Sequence, residues 1–227
     1  MTDADGVNKV GSYYDPSKEA TLRFAAPPTG GRYALLHASW ESLHLPTCLP
    51  TRLRDLVLVE PEVHADSRGF FIETYGRQSW EELGVTAQFV QDNHSRSIRG
   101  TIRAFHFQAD PGQPKLVRVA RGRAWDVVVD IRRGSPTFGQ WESFELDDER
   151  NLQLYVPIGF AHGFCAVSEV VDFVYKVGSY YDPTTERGIA WDDPDLRVPW
   201  PIDEPIVSER DRHNPSLAQV ADALPAW

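Results

Sequence analysis

His106, Lys115, His162 and Tyr175 are side chains whose types together describe a chemistry. An imidazole takes a proton near neutral pH, an ammonium group holds a developing negative charge, and a phenol gives a proton back. The set suits proton transfer next to a carbonyl, where loss of an α-proton places charge on oxygen. His106 lies in the run Gly-Thr-Ile-Arg-Ala-Phe-His-Phe-Gln over residues 100–108, which alternates as a strand does. The alternation predicts Ile102, Ala104 and His106 on one face and Arg103, Phe105 and Phe107 on the other. Taken alone, such a histidine reads as a satisfied core residue, because burying an unpaired ring is costly. Its companions decide otherwise only if the fold brings them together.

The elements that must do so are mostly strands. Runs rich in β-branched and aromatic residues predict strands near 56–60, 69–75, 87–92, 101–108, 115–121, 123–132, 139–146, 151–156, 162–168 and 170–178. Turn signals recur at Arg121-Gly122-Arg123, Gly134-Ser135-Pro136 and Pro157-Ile158-Gly159. Short strands at this spacing predict a mainly β sandwich or barrel with a few short helices. One helix is expected at 78–83, capped by Ser79 with Glu81 and Glu82 in its first turn. Three regions follow: a Pro/Gly-marked extension or arm over 1–52, a β domain over 53–205, and a tail over 206–227 that is mildly helical near 217–224. The octapeptide Lys-Val-Gly-Ser-Tyr-Tyr-Asp-Pro occurs at 9–16 and again at 176–183. One pair of copies is not a solenoid. It reads as a duplicated edge-strand segment, or as a first copy that imitates the pairing or aromatic role of the second.

The chain has 227 residues, of which 41% are hydrophobic, so it can bury a sizeable core. A formal charge of −10 argues against a general nucleic-acid binder. It leaves room for a small anionic ligand held by a local arginine cluster. Cys48 and Cys165 are far apart and read as free thiols in a reducing compartment. No run is long and apolar enough to span a bilayer, and no signal peptide is evident, so the cytoplasm is the expected location.

Between Leu56 and Pro215 the chain resembles the dTDP-4-dehydrorhamnose 3,5-epimerase family. The resemblance rests on Asp66-Ser67-Arg68-Gly69-Phe70-Phe71-Ile72-Glu73, Phe89-Val90-Gln91-Asp92-Asn93-His94-Ser95, the His106 strand, Lys115-Leu116-Val117-Arg118-Val119, Asp126-Val127-Val128-Val129-Asp130, Pro157-Ile158-Gly159-Phe160-Ala161-His162-Gly163-Phe164 and Phe173-Val174-Tyr175-Lys176. It implies a cupin-type jelly roll, a homodimer, no metal or other cofactor, and a nucleotide-linked 4-keto-6-deoxyhexose as substrate. By the family pattern His106 is the base, Asp211 orients it, Lys115 steadies the enolate, and Tyr175 delivers a proton to the far face of the sugar. His162 lines the same pocket. Arg103, Gln91 and Asn93 bind near the phosphates and nucleobase, Tyr180 packs on the base, and Arg68 and Glu73 reach in from the partner subunit. Arginine forks suit diphosphate geometry, which lets an acidic protein hold an acidic ligand. Asp126 is the carboxylate expected behind the pocket histidines.

Two departures from the family pattern carry expectations. Ala104 stands where glycine is usual and is expected to add a methyl beside the reaction centre. His64 stands where an aromatic usually stacks on thymine. Pro157-x-Gly159-x-x-His162 also matches a metal-binding cupin motif, but the first such motif needs His-x-His and here reads His106-Phe107-Gln108. The remaining rivals are a single-site epimerase, a 3,4-ketoisomerase, and a non-catalytic nucleotide-sugar-binding cupin.

Overall fold

A computed structural model describes residues 46–221 and 224–226. Most of the expected extension, with the first copy of the octapeptide, lies outside the described residues. In chain order the strands are β1 (Thr47–Leu49), β2 (Val57–Glu60), β3 (His64–Asp66), β4 (Gly69–Phe71), β5 (Gln91–Ile98), β6 (Thr101–Gln108) and β7 (Lys115–Arg121). There follow β8 (Arg123–Asp130), β9 (Trp141–Asp147), β10 (Gln153–Val156), β11 (Phe160–Ala166), β12 (Val170–Val177), β13 (Glu186–Gly188) and β14 (Ile206–Val207). The helices are α1 (Arg77–Glu82), α2 (Glu209–Arg212) and α3 (Leu217–Val220).

The strands form two large sheets and a hairpin. One sheet runs β1-β2-β10-β7-β12-β5, the other runs β13-β6-β11-β8-β9 with β14 parallel to β6, and β3 pairs with β4. The mainly β expectation is met as a sandwich, with neither sheet closing into a barrel. Val117, Val119, Leu154 and Phe173 of the first sheet share a core with Val128, Phe144, Leu146 and Phe164 of the second. Each such side chain, once buried, contributes about 1.5–3 kcal/mol. The outer face of the second sheet is covered as well: Ile102, Phe105, Val127 and Val129 pack with Ile189, Leu196, Val207 and Leu217 from the C-terminal segments. Burial on both faces explains why β8 carries three consecutive valines. On the outer face of the first sheet, Trp80 of α1 packs with Val59, Val85 and Leu116.

Several expectations are corrected. The strand expected at 87–92 is Gln91–Ile98 instead. Phe89 and Ala87 pack against the cluster around Trp80 rather than pairing, while Gln91, Asn93 and Ser95 of β5 line a cavity. A strand whose inward residues face a cavity has no hydrophobic alternation to read. Strand β4 is shorter than expected, and its Phe70 and Phe71 are exposed. Helix α1 starts from Gly76 with no side-chain cap; Ser79 lies inside it and donates to Glu73 Oε1. Glu81 falls in the last turn, where it accepts from Arg77 at 2.8 Å. Among the described residues the tail helix is Leu217–Val220, held by a Ser216/Gln219 capping box.

The largest correction concerns β6. His162 pairs with His106 but Phe164 pairs with Arg103, so three steps along β6 face two along β11. This bulge breaks the two-residue period. Arg103 and His106 therefore share the cavity side, while Ile102, Ala104, Phe105 and Phe107 all enter the outer apolar layer. Ala104 does not sit beside the reaction centre. Its methyl faces Gly163, where only a glycine leaves it room, since an added Cβ would lie 2.4 Å away.

Candidate active site

Near β5, β12, β6, β11 and β13 the inner space between the sheets opens as a cavity of about 280 Å³. Its walls carry Gln91, Asn93, Arg103, His106, Lys115, His162 and Tyr175 together. Gln113, Phe164, Phe173, Tyr181 and Glu186 complete the lining with Ser95. His106, on β6, and Tyr175, on β12, project from opposite sheets.

Asp211 reaches the site through local structure. β14 pairs Ile206 with Thr101 and Val207 with Ile102, which pins the tail along β6. Ser208 then caps α2 by accepting from the Asp211 amide at 3.1 Å. The short helix turns the buried Asp211 carboxylate onto His106, with Nε2 to Oδ1 at 2.8 Å. Burial works against the charge of Asp211, but the His106 hydrogen bond and charge, the Ser208 contact and Arg210 outweigh it and hold the carboxyl below its ordinary range. The ionised carboxylate accepts, so Nε2 carries the hydrogen and Nδ1 is the basic nitrogen.

His162 and His106 are cross-strand partners. His162 has its own carboxylate, the fully buried Asp126, whose Oδ2 lies 2.7 Å from Nε2. Lys115 Nζ donates to the His106 carbonyl at 3.4 Å. Burial lowers the Lys115 pKa from 10.5 to about 8, against the opposing charges of Glu186 and Asp126. Burial also raises Tyr175, with Arg103 opposing and Glu186 adding, so its phenol keeps its proton at neutral pH. Arg103 donates from Nε to Ser97 Oγ at 3.1 Å, and Gln91 donates to Asn93 Oδ1 at 2.8 Å. Among the described residues no three His, Cys, Asp or Glu side chains are grouped to hold a metal ion, and none of the helices is long and apolar enough to cross a membrane.

Three expected site residues lie outside this cavity's lining, two of which, Arg68 and Glu73, were expected to reach a partner's cavity rather than their own. Tyr180 is 72% exposed and outside the lining, and the adjacent Tyr181 is the one that lines the cavity. Adjacent tyrosines beyond the end of a strand give no period from which to choose between them. Arg68, exposed on the β3–β4 hairpin, pairs with Asp66, and Glu73 accepts from Ser79; neither lines this cavity. Glu186 and Arg210 were not foreseen, since neither sits in a motif with recognisable spacing.

The family model for dTDP-4-dehydrorhamnose 3,5-epimerase matches residues 50–219. The chain belongs to that family. A dTDP-4-dehydrorhamnose 3,5-epimerase of Pseudomonas aeruginosa is 49% identical over 173 residues, covering 75% of this chain and 95% of the relative. The crystal structure of the Legionella pneumophila dTDP-6-deoxy-D-glucose-3,5-epimerase in complex with dTDP-4-keto-L-rhamnose superposes with a TM-score of 0.78 at 43% identity, covering 80% of this chain and 98% of that one. A 3'-monoepimerase from Streptomyces bikiniensis, in complex with dTDP-quinovose, has a TM-score of 0.75 at 37% identity over 78% of this chain and 92% of that one. The sandwich is thus the cupin-type fold of these epimerases, and the protein is an isomerase of their kind.

Proposed function

We propose that this epimerase-family protein inverts C3 and C5 of a dTDP-linked 4-keto-6-deoxyhexose, supplying activated L-rhamnose or a related deoxysugar. One observation carries the reading: a carboxylate-backed imidazole and a protonated phenol project from opposing sheets into one cavity that also holds a half-buried ammonium group. His106 Nδ1 takes the proton α to the ketone, and the hydrogen bond to Asp211 stabilises the imidazolium that forms. Lys115 faces the ketone oxygen and holds the enolate charge. Tyr175 returns a proton from the opposite face. His162, fixed by Asp126, lines the sugar-binding end, and Arg103, Gln91 and Asn93 lead toward the diphosphate and nucleobase.

The test is proton NMR of the 4-keto-6-deoxy sugar nucleotide in deuterium oxide. The wild type is expected to exchange the hydrogens at both C3 and C5. Tyr175→Phe is expected to lose most C5 inversion while C3 exchange by His106 persists. Undiminished C5 inversion in that variant removes Tyr175 from the mechanism. Exchange at C3 alone in the wild type selects the single-site reading, which the 3'-monoepimerase likeness keeps in view.

The same reading includes a homodimer in which Arg68 and Glu73 serve the neighbouring cavity. Supporting it, the hairpin that carries Arg68 also exposes Phe70 and Phe71, 60% and 68% open to solvent. Mixing Arg68→Ala with His106→Asn is then expected to recover activity that neither shows alone, because one site of each mixed dimer has both groups intact. Absence of recovery from a demonstrated mixed dimer returns Arg68 to its own chain.

A further inference from the structure

His106 has a cross-strand neighbour on each side. On β11 it is His162, whose ring fills the space beside it. On β13 it is Gly188, which has no side chain. Directly opposite positions hold their Cβ atoms about 4.5–5.5 Å apart on one face of a sheet, so His106 lies beside a gap. The gap is filled from elsewhere in the chain. An added Cβ at Gly188 would lie less than 3.0 Å from Nδ2, Cγ and Oδ1 of Asn214, closer than real Cβ atoms approach. The Asn214 carboxamide thus occupies the place where a side chain of residue 188 would stand. The Gly188 backbone is not in the left-handed region, so its conformation does not call for glycine. The room taken by Asn214 does.

Asn214 belongs to the segment that delivers Asp211. Before α2, β14 pins this segment along β6. After it, the Ala190 amide donates to the Pro215 carbonyl at 2.8 Å, and the Leu217 amide donates to Asp193 Oδ2 at 2.7 Å. These bonds fix the two ends of the crossing. Between them Asn214 rests on β13, on the side of the sheet that carries His106. Its Nδ2 is buried and has no hydrogen-bond partner among the described residues. A buried donor left unpaired destabilises a fold, so stability does not explain the carboxamide. Nor does Asn214 line the cavity, so it is not placed to bind substrate. What distinguishes it is its seat beside the imidazole.

We propose that Asn214 is a positioning residue for the base: its carboxamide, seated on Gly188, stands in for the missing cross-strand side chain and holds the His106 ring against Asp211. The proposal rests on the reading of His106 as the base given above. The ring is confined between His162 and Asn214, with Nε2 turned to the Asp211 carboxylate and Nδ1 left for the substrate. Gly188 and Asn214 act as one unit. A side chain at residue 188 evicts the carboxamide, whether Asn214 swings away or the tail lifts.

Gly188→Ala and Asn214→Ala each take the carboxamide away from the ring. Each is expected to lower kcat about tenfold with KM little changed, within the loss that a misplacement of about 1 Å causes. The double variant is expected to lose about tenfold as well, not a hundredfold, because both changes remove the same contact. Nitrogen-15 labelling of histidine followed by NMR reads the ring directly. The chain has seven histidines, and the His106 Nε2–H signal is assigned by its loss in His106→Asn. That proton, bonded to Asp211, is expected to exchange with solvent faster in all three variants. The His162 Nε2 signal, held by Asp126, is expected to stay as in the wild type, which separates a local change from a general loosening. Wild-type kcat or an unchanged His106 signal in Asn214→Ala overturns the proposal, whether or not Gly188→Ala folds. So does a double variant whose loss is the product of the two single losses. Absence of C3 exchange in the wild type removes the catalytic reading instead, and the His106 signal still reports the contact.

Discussion

Replacing His106 by Asn is expected to lower kcat by about 10²–10⁴-fold and to abolish deuterium uptake at C3, as loss of a positioned general base does. The expectation follows from the geometry around the ring. Asp211 is held ionised and 2.8 Å from Nε2, so Nδ1 is left free to accept a proton. Asparagine fits within the space of the ring, but its amide falls short of the Nε2 position and does not accept a proton at neutral pH. Nucleotide binding, proposed above to rest on Arg103, Gln91 and Asn93, is expected to change little, so the loss appears in kcat rather than KM. Normal deuterium uptake at C3 in His106→Asn would end the assignment of the base.

Lys115→Met is expected to cost about 10²–10³-fold in kcat, the scale for removing one donor from a developing oxyanion. It is also expected to stabilise the fold. The unfolded lysine titrates near 10.5, whereas burial lowers it to about 8 in the folded protein. Between those values the unfolded chain binds more protons, so stability rises with pH across that window. At neutral pH the folded protein carries the cost of this partly desolvated charge, at most about 3 kcal/mol. Methionine has a similar reach and no charge, so the urea midpoint at pH 7 should rise and its increase between pH 8 and 10 should flatten. Activity and stability would then move in opposite directions, as expected of a group kept for function at the expense of the fold. In the wild type kcat should fall as pH rises through about 8, where the ammonium is lost. A variant that is less stable and fully active would refute both roles.

Most strands were legible because their residues alternate or run apolar over the expected lengths. Strands β7, β8 and β12 have a hydrophobic face or two, and the sequence pattern records that directly. Strand β5 was misplaced for the opposite reason: Gln91, Asn93 and Ser95 point into the cavity, where polar residues serve a ligand and leave no apolar period. The short strands β13 and β14 give no local signal, yet they carry Glu186 and pin the tail that delivers Asp211.

The residues by themselves determined a mainly β chain and a proton-transfer chemistry, because side-chain type and alternation are local properties. They also carried the motifs that mark the family. Only the tertiary structure decided which residues meet. The bulge opposite β11 turned His106 to the same side as Arg103 and sent Ala104 into the outer apolar layer. The register of β14 brought a carboxylate from 105 positions away onto the imidazole. Chain geometry beyond Val177 placed Tyr181 rather than Tyr180 at the cavity. The first two outcomes depend on strand register, which is set by pairing between distant segments and leaves no trace in the order of residues along any one of them.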